Sequence, residues 1–111
     1  MTRQKFTIYA IREVGTIEPR YIGQTSRTPE HRLIEHLGEA RCSWHARTPF
    51  LDWLVAAQDN LEAIEVSTAE TRQDAKAQER LLIQSAARLG CRLFNRDHMP
   101  RSIKLALGRA A

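Results

Sequence analysis

The stretch from Thr71 to Leu89, TRQDAKAQERLLIQSAARL, constrains this chain more than any other segment, because it has the spacing of one long helix and ends at Gly90. Positions three, four and seven apart share a helix face, so Ala75, Leu82, Ile83 and Ala86 become the neighbours of Glu79. An inward carboxylate costs several kcal/mol unless a cation or hydrogen-bond donors compensate it. The fold must therefore bring an Arg, a Lys or a metal ion to Glu79, unless its side chain pairs locally or reaches round to solvent.

With 111 residues, 42% of them hydrophobic, the chain has the size and apolar content of a single domain spanning residues 1–111. No stretch approaches the roughly 18 apolar residues of a membrane span, and the opening MTRQKFTIYAIREVG is too short an apolar run for a signal peptide. The expectation is a cytoplasmic protein with no membrane partner. Cys42 and Cys91 then read as reduced thiols, and their spacing with His45 and His98 matches no common zinc finger.

The charge is unevenly placed. Basic and acidic side chains balance over residues 1–90, so the whole excess of +4 sits in residues 91–111, where Arg92, Arg96, Arg101, Lys104 and Arg109 face Asp97 alone. Such a basic segment suits nucleic-acid phosphates, and it equally describes a solvated terminus with no partner.

Along the chain, Lys5–Arg12 (KFTIYAIR) and Arg20–Thr25 (RYIGQT) alternate as strands around a turn containing Gly15 and Pro19, which predicts a hairpin. Period two places Tyr9 with Thr7 and Ile11 on one face, and lets Tyr9 and Tyr21 face the same way. Gly23 marks a close backbone approach or a bulge. Thr28 followed by Pro29 starts a helix that runs to about Ala40, with Leu33, Leu37 and Ala40 as its apolar stripe and Ile34 on its flank. Arg32 and His36, one turn apart, lie along the edge of that stripe. Thr48–Pro49 caps a second helix, FLDWLVAAQ, apolar nearly all round and expected to be well buried. Leu61–Val66 alternates as a third strand, the Glu79 helix follows, and a last helical turn or two is expected from about Pro100 to Leu107. The fold class is α+β: a small three-stranded sheet flanked by about four helices.

Five segments, TIYAI (7–11), RYIGQTS (20–26), HRLIEHL (31–37), QERLLI (78–83) and LFN (93–95), together resemble the successive motifs of the GIY-YIG nuclease family. The resemblance covers nearly the whole chain; it departs at Thr7, which stands where the family has its first glycine. The family implies an antiparallel sheet and divalent-metal-dependent hydrolysis of DNA phosphodiesters with one ion, Mg2+ or Mn2+. Carried over position by position, it implies that Tyr9 and Tyr21 are the motif tyrosines, that Arg32, His36 and Asn95 complete the catalytic set, and that Glu79 is the metal ligand. His31 competes with His36 for the histidine position, although Arg32 and His36 keep the one-turn separation. Tyr9 is the candidate general base, directly or through a relay by a metal-bound water.

With DNA as the partner, Arg92, Arg96, Arg101 and Lys104 become backbone contacts. The chain has no room for a separate recognition domain, which implies low or structure-based specificity, or a partner protein that supplies targeting. Two other classes fit the same residues. One is a nucleic-acid-binding module with this fold and no turnover; the other is a protein-interaction domain in which Glu79 pairs with Arg32.

Overall fold

A computed structural model describes residues 5–42 and 48–95. Strand β1 (Phe6–Glu13) is the middle of a three-stranded antiparallel sheet, between β2 (Tyr21–Thr25) and β3 (Leu61–Ala69). A central strand covered on both faces needs apolar residues at consecutive positions, and β1 supplies them in Ile8, Tyr9, Ala10 and Ile11, all buried. Helix α1 (Pro29–Arg41), helix α2 (Pro49–Ala57), a 3-10 turn at Gln58–Asn60 and helix α3 (Arg72–Arg88) complete the described elements. There are three α-helices here rather than about four; the segment 100–107 lies outside the described residues.

The two faces of β1 build two halves of the interior. Phe6, Ile8 and Ala10 join Ile22 and the α3 side chains Ala75, Ile83 and Ala86 in one cluster. Tyr9, Ile11 and Ala63 pack on the opposite face with Leu33 of α1 and with Phe50 and Trp53 of α2. Strand β3 runs three residues beyond the expected Leu61–Val66, because Ser67, Thr68 and Ala69 pair with Ile8, Thr7 and Phe6. The alternation hides this extension: Tyr9 pairs with Glu65 while Ile8 pairs with Ser67, so Val66 is an extra residue in a β-bulge and the period-two pattern loses phase there.

Three threonines start the three α-helices in the same way. Thr28, Thr48 and Thr71 each accept, through the side-chain oxygen, the backbone N–H of the residue three positions on, an interaction worth about 1 kcal/mol per cap. Helix α3 ends in a paired motif in which Gly90, at φ 88°, donates to the Ala87 carbonyl and Cys91 donates to the Ala86 carbonyl. Helix α2 departs from expectation. Only Leu51 and Leu54 are buried, against Ala40 of α1, while Val55 is 38% exposed, because the helix lies at the margin of the sheet and meets α1 along one side.

Beyond Gly90 the chain runs along the outer border of β2. The Phe94 N–H donates to the Arg20 carbonyl, and the Asn95 side-chain amide takes both free backbone groups of Ile22: its Oδ1 accepts the Ile22 N–H at 2.8 Å and its Nδ2 donates to the Ile22 carbonyl at 2.7 Å. The Arg20 guanidinium ties α2 to this segment. It lies over the rings of Trp53 and Phe94, 5.2 and 4.7 Å from their centroids, and its Nε donates to the Arg92 carbonyl.

Candidate active site

Tyr9 sits in the middle of β1, opposite Gly23 of β2. Its ring crosses that position so closely that a Cβ on residue 23 would stand 2.5 Å from the phenol oxygen and 2.7 Å from Cζ. Glycine is therefore the residue that lets Tyr9 lie across the sheet. The phenol oxygen is 3.0 Å from Nε2 of His36, which the middle of α1 delivers from above the same face. Tyr21, two positions before Gly23 on β2, completes the group: its ring centroid is 6.3 Å from that of Tyr9 and 5.2 Å from that of His36, the latter edge-on. Period two in the strands and one helical turn in α1 thus bring three of the sequence-assigned side chains into contact.

Arg32, one turn before His36, is half-buried at the edge of this group, with its Nη1 3.5 Å from Glu39 Oε1 and 3.9 Å from Glu35 Oε1. Its positive charge acts directly on the Tyr9 hydroxyl, favouring the ionised phenol. The opposing influences are stronger. Burial first, then Tyr21, and more weakly the carboxylate of Glu79, push the Tyr9 hydroxyl well above its ordinary pKa, so Tyr9 is a neutral phenol.

His36 is 3% exposed, deeper than the edge position its spacing suggested. Burial, and after it the charge of Arg32, bring its pKa down to about 4 against the opposing pull of Glu39 and Glu35. The ring is neutral near pH 7. Its Nδ1 lies 3.7 Å from Glu39 Oε2 and has no hydrogen-bond partner among the described residues. A proton placed on Nδ1 faces a carboxylate, which leaves Nε2 as the acceptor of the Tyr9 O–H.

Glu79 occupies the expected place on α3. Ala75, Ile83 and Ala86 around it are buried, Leu82 is packed against them, and Glu79 itself is half-buried. Its charge reaches Tyr9 even though α3 covers the other face of the sheet. Among the described residues no three His, Cys, Asp or Glu side chains gather as a metal cage. A hard cation such as magnesium keeps several waters and takes one or two carboxylates plus substrate phosphate, so a single half-buried carboxylate such as Glu79 could be the one protein ligand of such an ion.

The remaining assigned residues lie elsewhere. Asn95 is buried, with both ends of its amide occupied by Ile22, between Tyr21 and Gly23 on β2. It holds the stretch of β2 that carries Tyr21 and Gly23. His31 is near Arg27 and Glu35 on the exposed side of α1, so the ring that meets Tyr9 is His36. The Arg92 guanidinium is bound to both oxygens of Glu18, holding that carboxyl at about 2, below the usual carboxylate range. Arg96, Arg101 and Lys104 lie outside the described residues. Cys42 and Cys91 are free thiols.

One site residue escaped the sequence. Phe50, in the first turn of α2, stacks on Tyr21 with centroids 4.3 Å apart and planes 13° apart, and meets His36 edge-on at 5.3 Å. An apolar residue in an apolar helix carries no local sign of such a position; the signal lies in tertiary packing.

No helix among the described residues is long and apolar enough to cross a membrane. No family model, curated protein or solved structure matches this chain.

Proposed function

We propose that this protein is a divalent-metal-dependent endonuclease that hydrolyses DNA phosphodiester bonds, as the GIY-YIG resemblance implies. The observation that supports it is the meeting of buried Tyr9 and His36 with half-buried Tyr21 in one group that has Arg32 at its edge, with Glu79 a weaker electrostatic influence on Tyr9 from the helix across the sheet. These residues come from both strands of the hairpin and from two helices, and cross-strand packing alone does not require an arginine at the edge of a buried phenol–imidazole pair.

In this reading Arg32 holds the non-bridging phosphate oxygens through its fork of donors as negative charge accumulates on them. The oxygen of a water molecule bonds to phosphorus while its proton passes to the Tyr9 oxygen, whose own proton moves to Nε2 of His36. The bond from phosphorus to the 3′ oxygen breaks, leaving a 5′-phosphate and a 3′-hydroxyl that takes its proton from solvent. Glu39, beside Nδ1, supports the transient positive charge on the imidazole. Glu79 would be the residue that holds a magnesium or manganese ion, which would supply positive charge to the phosphate and the leaving oxygen.

The test is cleavage of supercoiled plasmid and of branched DNA with Mg2+ or Mn2+. Glu79→Ala should abolish cutting while the far-UV circular dichroism and melting temperature stay close to those of the wild type. Undiminished cutting by the Glu79→Ala variant refutes the role given to Glu79. One observation favours a second reading, a DNA-binding module without turnover: Tyr9 is 1% exposed, and such burial opposes the charge that would develop on its oxygen during proton transfer. Steeply salt-dependent DNA binding with no cutting under any divalent cation selects that reading.

A further inference from the structure

Helix α2 contributes none of the residues assigned to the chemistry, yet it places a ring against two of them. Phe50 lies nearly parallel to Tyr21 at 4.3 Å and edge-on to His36 at 5.3 Å, while Tyr21 and His36 meet each other edge-on at 5.2 Å. Three rings in mutual contact remove the rotational freedom of each, since aromatic pairs prefer stacked and edge-to-face arrangements. The placement is fixed from behind. The Thr48 cap and Pro49 set the start of α2, and the Trp53 ring one turn on stands 6.3 Å from Phe50 with its Nε1 donating to Glu13 at 3.0 Å.

We propose that Phe50 is a positioning residue: its ring, packed against both Tyr21 and His36, holds the imidazole with Nε2 toward the Tyr9 oxygen and closes that side of His36 to water. This rests on the nuclease reading only for its catalytic consequence. The geometric part concerns His36 itself and can be read without DNA. The groups that face His36 are Tyr9 from β1, Tyr21 from β2, and Arg32, Glu35 and Glu39 from α1. From α2 comes a hydrocarbon ring. Burial is the leading cause of the depressed basicity of His36, and Phe50 is a hydrocarbon part of that enclosure with no titratable group.

The experiment follows the His36 ring signals of the full-length protein by NMR from about pH 4 to pH 8, in wild type, Phe50→Ala and Phe50→Leu. In the wild type the ring should stay neutral until the pH falls well below the ordinary histidine value of about 6.5. Phe50→Ala opens the enclosure, so the midpoint should rise by about one pH unit or more toward that value. Phe50→Leu keeps an apolar filling and should leave the midpoint close to wild type. It should still move the Tyr21 and His36 ring resonances, because the ring current of the stacked partner is lost. If Phe50→Ala proves unfolded, these leucine shifts decide the matter. An unmoved midpoint in a folded Phe50→Ala protein, or unmoved Tyr21 and His36 resonances in Phe50→Leu, overturns the proposal.

The catalytic consequence has a separate readout. Phe50→Ala should lower kcat for DNA cleavage with little change in KM, and its acid limb should begin at a higher pH, because a protonated His36 cannot accept from Tyr9. Unchanged kcat and acid limb overturn the catalytic part. Absence of cleavage by the wild-type protein refutes the nuclease reading, while the NMR titration still decides whether Phe50 positions His36.

Discussion

Replacing Gly23 by Ala tests the geometry on which the site depends. The new methyl carbon would stand 2.5 Å from the Tyr9 oxygen, 2.7 Å from Cζ and 3.0 Å from Cε1, all at or inside the closest approach real side chains allow. Restoring ordinary contact requires the ring to move by roughly 1 Å from a 3.5–4.0 Å carbon contact distance. Tyr9 is 1% exposed and has Tyr21 and His36 against it, so the shift must be shared with a buried cluster. Overpacking of this kind costs about 1–3 kcal/mol, and the alanine recovers about 0.5–1 kcal/mol of backbone entropy. The net expectation is a loss of about 1–2 kcal/mol, or about 4–15 °C in melting temperature for a domain of this size. The same shift carries the hydroxyl away from Nε2, whose 3.0 Å hydrogen bond has little room to lengthen. Urea unfolding measures the stability, and Gly38→Ala is the control: a Cβ there meets nothing within 4 Å and lies inside α1, so that variant should gain about 1 kcal/mol. Combining Gly23→Ala with Tyr9→Leu should recover part of the loss. A Gly23→Ala protein as stable as wild type, or strict additivity in the double variant, would refute the placement of Tyr9 across β2.

Asn95→Ala strips the partners from the Ile22 N–H and C=O, and two unsatisfied buried groups should lower stability by about 2–4 kcal/mol, with faster hydrogen exchange at the Ile22 amide as the local check. Stability should also fall on acidification in a window set by His36. Its folded-state pKa lies below the unfolded value, so the unfolded chain takes up the proton first; the contribution is complete above about 6.5 and is lost as the pH falls toward about 4. Urea midpoints measured across that window should therefore decline in the wild type and decline less in His36→Gln; parallel profiles would remove His36 as the source.

Much of this fold was readable one segment at a time. The Thr-Pro pairs at 28–29 and 48–49 marked two helix starts, Gly90 marked the end of α3, and period two placed Tyr9 and Tyr21 on one sheet face, because each of these signals is local. What escaped was non-local. The bulge at Val66 hid the end of β3, since an inserted residue inverts the alternation beyond it. His36 looked like an edge residue on its own helix and became buried only when Tyr21 and Phe50 closed over it. Phe50 looked like core for the same reason. The apolar character of α2 overstated its burial, because composition does not say how many neighbours a marginal helix meets. Gly23 was legible as a place of close approach, while the atom that approaches it, the Tyr9 oxygen, emerged only from strand register.

The way residues 92–95 lie against β2 bears on how this chain can be shortened. A sheet border with unanswered amides and carbonyls invites a strand from another molecule, and here a side-chain amide imitates that missing strand for a single residue, Ile22. Asparagine 95 thus behaves as a plug. Any variant cut ahead of it trades an intramolecular seal for an adhesive rim, and self-association would then be mistaken for a role of the lost residues in recognition.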